Sequence, residues 1–213
     1  MKDEFAEQKK AALDHQNERL AQYDPGVKAL SWGSEDSQRK RFEVLIETLW
    51  ARDVRDFGKA RALLDVGCGF GDLFHIITNE RQIALKRYLG VDLNPAMIEE
   101  AKKCYPLADF EVRDILQDPP AERFDYVVGS GLFFLRVKNW YRYMAAMVGR
   151  MYELTDVGVA VNFLSAFSPE KKGEHSFYAD PGAVFNTIAH LVSPKIVLRH
   201  DYRANDFTLF IYR

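Results

Sequence analysis

The residues best placed for chemistry are an acid and a set of glycines in the run Leu63-Leu64-Asp65-Val66-Gly67-Cys68-Gly69-Phe70-Gly71-Asp72-Leu73. A short apolar stretch of strand character ends in glycines at alternate positions, and an amphipathic helical pattern follows. Glycine suits a chain that turns sharply out of a strand and lets a ligand lie against its backbone. The helix that follows presents free amides and a positive dipole end. A nucleotide-type ligand is the first expectation.

Two more acids follow at telling distances. Asp92 closes the apolar run Gly90-Val91-Asp92, with Leu93 and Asn94-Pro95 after it. In a doubly wound sheet a carboxylate at that strand end can accept bonds from both hydroxyls of a ribose. The competing reading is that Asp92 caps the helix opened by Pro95. Asp114 stands just past Phe110-Glu111-Val112, where a carboxylate can meet an adenine amino group and Ile115 adds an amide and an apolar face; a surface turn is the alternative. The run Phe124-Asp125-Tyr126-Val127-Val128 then ends in Gly129-Ser130-Gly131, small residues that let a ligand approach.

The elements that must hold these residues alternate. Strand signals fall at 62–66, 87–92, 109–112, 125–129, 157–164, 195–202 and 206–212, and helical patterns at 71–80, 95–103, 139–153 and 181–192. Such alternation implies a mostly parallel sheet with helices on both faces. Only Ala204-Asn205 separates the last two strands, too short for a crossover, so they pair antiparallel. Trp140, Met144, Met147 and Met151 form a core-facing stripe, and Asp180-Pro181 reads as a cap and first turn.

Ahead of this lies a helical extension. Residues 3–22 are helix-prone with a thin apolar stripe of Phe5, Ala12, Leu13 and Leu20, suited to lying over a domain. After a break at Tyr23-Asp24-Pro25-Gly26, a second helix shows Phe42, Leu45, Ile46 and Leu49 at helical spacing. The division expected is an extension over 1–60 and one globular unit over 61–213.

Composition bounds the rest. The 213 residues are 47% hydrophobic and 28% charged with a net charge of −2, which fits one ordinary domain and supplies no global field for nucleic acid. Cys68 and Cys104 are the only cysteines and imply neither a disulfide framework nor a metal site. No apolar run has the length of a membrane span and the start is charged, so the chain reads as cytosolic.

In order and spacing these segments resemble the class I S-adenosylmethionine-dependent methyltransferases, an α/β Rossmann-like fold with a seven-stranded, mostly parallel sheet and a C-terminal antiparallel hairpin. The likeness covers 61 to about 165. The loop is GxGxG, and Asp72 sits where the third glycine of a dinucleotide loop would be. A bacterial group of such proteins of small-molecule type shares the Trp32-Gly33-Ser34 and Asp206-Phe207-Thr208 segments. The resemblance implies S-adenosyl-L-methionine as cofactor, with Asp65, Gly67, Cys68, Gly69 and Gly71 along its methionine part. It places Asp92 and Leu93 at the ribose, Met97 beside the adenine, Asp114 with Ile115 at the adenine edge, and Ser130 or Gly131 toward the sulfonium. The stretch from Trp32 to Arg41 corresponds to a lid. Cys68 also suits plain packing, and Trp32 is equally a packing residue.

The acceptor is less legible. Asn162 and Tyr178, with Ser130, are candidates for positioning it, and each is equally a structural residue. No [DNS]-P-P-[FYW] signature follows the fourth strand; Ser130-Gly131-Leu132-Phe133 stands there, which disfavours exocyclic adenine or glutamine amines. Phe133-Phe134-Leu135 reads as an apolar pocket wall or core. His15, His75 and His190 read as surface or helix-face residues, and His200 and Tyr202 as structural. Pro169 to Ser176, with Lys171-Lys172 and His175, reads as a solvated loop. The expectation is a methyltransferase acting on a small-molecule acceptor, without nucleic acid or membrane, its oligomeric state open. The alternatives are a cofactor-binding subunit without catalysis and a nucleic-acid or protein methyltransferase. A nucleotide-binding oxidoreductase is disfavoured by the loop spacing and the hairpin.

Overall fold

A computed structural model describes residues 3–51, 61–170 and 173–213. Lys171-Lys172, the boundary near residue 60 and the Leu49 side chain lie outside the described residues. The seven expected strands are all present: β1 Arg61–Val66, β2 Leu85–Asp92, β3 Asp109–Val112, β4 Phe124–Gly129, β5 Thr155–Leu164, β6 Ile196–Arg199 and β7 Asp206–Tyr212. They form one sheet in the order β3-β2-β1-β4-β5-β7-β6. Pairings from β3 to β5 are parallel, and β7 runs antiparallel between β5 and β6. The order reverses between β1 and β4, the place where open α/β sheets leave a crevice at their carboxyl edge.

Among the described residues six α-helices flank the sheet: α1 Ala6–Gln22, α2 Glu35–Ala51, α3 Asp72–His75, α4 Pro95–Cys104, α5 Trp140–Glu153 and α6 Pro181–Leu191. The helical pattern expected over 71–80 is divided, because α3 gives way to a π-helical turn over Ile76–Glu80. One apolar cluster buries Trp140, Met144, Met147 and Met151 of α5 against Val127, Val159 and Phe163. The other packs Phe42, Leu45 and Ile46 of α2 with Leu63, Tyr126 and Phe210. Asp180 caps α6 by accepting from the Ala183 amide at 2.7 Å, ahead of Pro181.

β6 is shorter than the span expected over 195–202. Arg199 turns back to bind Asp201 at 2.9 Å, and the strand ends there. Beyond it, His200 stacks near Phe167 and the Tyr202 hydroxyl meets Thr208 Oγ1 at 2.8 Å, holding the turn into β7.

Candidate functional site

The turn out of β1 is made by backbone geometry. Gly67, Gly69 and Gly71 have φ of 70°, 55° and 85°, conformations that cost an L-residue energy. A Cβ on Gly67 would lie 2.5 Å from Leu132 Cδ2. The Gly67 and Cys68 amides both donate to Val91 O, at 2.7 and 3.1 Å, which pins the loop to β2.

Below this loop opens a cavity of about 490 Å³ at the carboxyl edge of the sheet. Asp65, Gly67, Cys68, Gly69, Asp92, Leu93, Met97, Asp114, Ile115, Ser130, Gly131, Trp32, Asn162 and Tyr178 all lie in its wall. Gly71 is not in the wall; it turns into an aromatic group, its Cβ position 2.8 Å from Phe110 and 2.9 Å from Tyr105. The Phe133-Phe134-Leu135 run splits: Phe133 is core, stacked on Phe163, while Phe134 and Leu135 face the cavity.

One end of the cavity is acidic. Asp65 is buried and accepts from the Tyr88 hydroxyl at 2.8 Å. Burial pushes its carboxyl up to about 7, with the Tyr88 hydrogen bond opposing. Asp92 is buried too. Its Oδ2 accepts from the Gly69 amide at 3.1 Å and its Oδ1 from the Asn94 amide at 3.0 Å. Burial raises its pKa, and these amides pull the other way. The helix-cap alternative for Asp92 does not hold, because Asn94 caps α4 with its own side chain, accepting from the Ala96 amide at 3.0 Å. Asp72 accepts from Gln38 Nε2 at 2.8 Å and is also raised by burial.

The extension closes the other side with polar groups that its thin apolar stripe does not announce. Lys9 is buried and paired with Asp114 and with Asp3, the latter at 2.8 Å. Asp114 accepts in addition from the Leu116 amide at 2.9 Å. Gln16 hydrogen-bonds Asp92, while its own Oε1 is buried without a partner. Asn17 accepts from Asn94 Nδ2 at 2.9 Å. His15, expected as a surface or helix-face residue, lies on the inner face of α1 in the cavity wall, at 2.8 Å from Ser31 Oγ and edge-on to Phe134. Burial lowers its pKa, which favours the neutral ring. A signal for this face exists in the sequence: Phe5, Gln8, Lys9, Ala12 and Gln16 recur at helical spacing, but four of the five carry no large apolar group.

The end of the cavity away from these acids is built from β4, β5, β7 and α2. Asn162 Nδ2 donates to Ser130 Oγ at 2.7 Å and its Oδ1 accepts from the Gly131 amide at 2.9 Å. It thereby fixes the small-residue turn after β4. Trp32 lies against Gly131, whose Cβ position would be 3.2 Å from the indole. Its ring also lies 4.6 Å below the Arg41 guanidinium. His175 is exposed, as a solvated loop requires, whereas Ser176 and Tyr178 reach the wall.

Pinned glycines, buried acids and the unpartnered Gln16 Oε1 fit a ligand with hydroxyls, a positive charge and a planar base. Residues 63–152 match a family model described as a methyltransferase domain. Over that stretch the chain is similar to methyltransferases, and its fold is that of the class I S-adenosylmethionine-dependent methyltransferases. A Mycobacterium tuberculosis protein assigned as a methyltransferase is 29% identical over 156 residues, 69% of this chain and 90% of its own. Two solved structures share the fold. Magnesium protoporphyrin IX methyltransferase from Synechocystis, with S-adenosylmethionine bound, aligns with TM-score 0.65 and 15% identity over 96% of both chains. The N-methyltransferase NodS from Bradyrhizobium japonicum, bound to S-adenosylhomocysteine, aligns with TM-score 0.67 and 15% identity over 94% of this chain and 97% of its own. Among the described residues no helix is long and apolar enough to cross a membrane, and no cluster of acids, histidines or cysteines is placed to hold a metal.

Proposed function

We propose that this chain transfers the cofactor's methyl group to a small-molecule acceptor held at the Asn162–Tyr178 end of the cavity. The observation that carries the reading is one continuous cavity, acidic and glycine-floored at one end and walled by Trp32, Phe134, Leu135 and Phe163 at the other. When bound, adenosylmethionine supplies an electrophilic methyl group together with its own leaving group.

The protein's residues supply position. Gly67 and Gly69 let the backbone approach the methionine part, and Asp65 and Asp72 place negative charge near its ammonium group. Asp92 and Gln16 take the ribose hydroxyls, since the carboxylate has lone pairs left and Gln16 Oε1 lacks a donor. Met97 and Leu93 flank the base, and Asp114, oriented by Lys9 and the Leu116 amide, meets its amino group with Ile115 alongside. Ser130 and Gly131, fixed by Asn162, border the transfer axis. The extension over 1–60 acts as a lid on the unit over 61–213, excluding water so that alignment lowers the barrier. An acceptor that must lose a proton has a neutral imidazole within the wall, at His15.

Small-molecule transfer is favoured over nucleic acid because the far wall, with Trp32, Phe134, Leu135 and Phe163, is apolar and the chain's net charge is −2. The decisive experiment is calorimetry with adenosylhomocysteine on the wild type and Asp92→Ala. Loss of a charged hydrogen-bond acceptor lowers affinity by roughly tenfold to a hundredfold. Unchanged affinity removes Asp92 from the ribose. Labelled adenosylmethionine with a metabolite extract then reads the acceptor, and label found only in RNA or protein overturns the small-molecule reading.

A further inference from the structure

Two guanidiniums meet one buried carboxylate at the acceptor end. Asp206 opens β7 opposite Leu164, at the same sheet edge as the rest of the site, and is 1% exposed. Its Oδ1 accepts from Arg41 Nη2 at 2.6 Å. Arg41 is fully engaged: it also donates to Ser37 Oγ at 2.6 Å and Ser37 O at 3.2 Å, and it lies over Trp32. Its charge is matched by Asp206.

Arg203, on the turn between β6 and β7, is placed differently. Its Nε stands 3.4 Å from Asp206 Oδ2, yet both atoms are buried and neither makes a hydrogen bond. Its Nη1 reaches only Asp36, at 3.5 Å, and that side chain is 90% exposed. An ion pair so open to water compensates little of the charge. Arg203 therefore brings to the cavity wall a cation that Asp206 has already spent on Arg41. Asp65, Asp72 and Asp92 gather at the cofactor end, so the two ends of the cavity differ in sign.

We propose that Arg203 binds an oxyanion of the methyl acceptor, so that the acceptors are small molecules carrying a carboxylate or phosphate on an apolar body. A guanidinium presents a planar fork that matches either group with two parallel hydrogen bonds. Asn205 and Tyr178 stand in the same wall, and Trp32, Phe163 and Leu164 supply the apolar contact for the body. The inference rests on the methyltransferase reading of this cavity. The cofactor's methionine part also carries a carboxylate, so the test separates the two sources.

The full chain is saturated with adenosylhomocysteine and titrated with matched probes by ligand-observed NMR: para-hydroxybenzoate against para-hydroxybenzamide, and phenyl phosphate against benzyl alcohol. The acids are expected to bind roughly tenfold more tightly than their neutral partners, as a charge-assisted bond provides. Arg203→Gln should erase that difference and Arg203→Lys should keep part of it, while adenosylhomocysteine affinity stays unchanged in both. Equal binding of acids and neutral partners, no binding of any probe, or acid preference surviving in Arg203→Gln overturns the proposal. So does a fall in adenosylhomocysteine affinity in Arg203→Gln without a matching fall for methylthioadenosine, which lacks the carboxylate; that result gives Arg203 to the cofactor. Failure of the wild type to bind adenosylhomocysteine strikes the methyltransferase reading instead.

Discussion

Asp65 offers a test of the acidic end that needs no acceptor. Its carboxyl is held by burial at about 7, against an ordinary value of 3.8. A raised acid keeps its proton in the folded chain over a range where the unfolded chain has lost it. Its contribution to stability is therefore whole below pH 4 and is lost as pH rises through 7. Three units correspond to about 4 kcal/mol, which in a domain of this size is roughly 8–16 °C in Tm. Asp65→Asn removes the titration and leaves an amide oxygen to accept from Tyr88. Free wild type and variant should melt alike near pH 4, and the variant should melt higher at pH 8. Asp72 and Asp92 are raised by the same burial, so the variant keeps a shallower slope of the same sign. The cofactor's positive groups favour the ionised form of Asp65, so wild-type affinity for adenosylhomocysteine should rise with pH up to about 7, and that dependence should weaken in Asp65→Asn. Scanning calorimetry across pH 4–8 reads the first effect and titration calorimetry the second. A variant no more stable than wild type at pH 8 refutes the reasoning.

Three further outcomes are expected. Gln16→Leu removes the buried acceptor placed at the ribose hydroxyls, so the adenosylhomocysteine-induced rise in Tm should shrink; an unchanged rise counts against the ribose placement. Lys9→Met leaves Asp114 and Asp3 without their shared cation and should cost about 1–3 kcal/mol, with hydrogen exchange faster along α1 than in the sheet. Asn162→Leu strands the Gly131 amide and should cost about 1–3 kcal/mol by thermal melting, while Asn162→Asp, which retains an acceptor for that amide, should recover part of it.

What the sequence made legible was whatever local pattern encodes. The seven strands follow apolar runs, and the turn at Gly67–Gly71 follows from glycine spacing that only a bend with positive φ requires. Asp92 is legible because it closes β2, and Asp114 because it follows just past the end of β3. Less legible was whatever depends on distant partners. Arg41 and Asp206 are 165 residues apart, and no spacing announces that they meet. His15 reads as a surface or helix-face residue, and its enclosure is not legible because the loop at Ser31 and the Phe134 ring cover it from outside the helix. β6 stops short of residue 202 because Arg199, His200 and Asp201 are polar and Asp201 draws Arg199 into a turn.

The polar inner face of α1 follows from what lies beneath it. The buried carboxylate of Asp92 and the half-buried one of Asp114 cannot be covered by leucines without stranding charge, a cost larger than the apolar burial would return. A segment that covers them must bring donors, and α1 brings Lys9 to one and Gln16 to the other. Its weak amphipathicity is therefore the imprint of the acidic floor. The same reasoning separates the two arginines at the far end. Arg41, compensated and hydrogen-bonded on several sides, holds α2 to β7. Arg203, with its Nε buried against Asp206 and its Nη1 contact to Asp36 open to water, keeps its terminal nitrogens for a ligand that the fold itself does not supply.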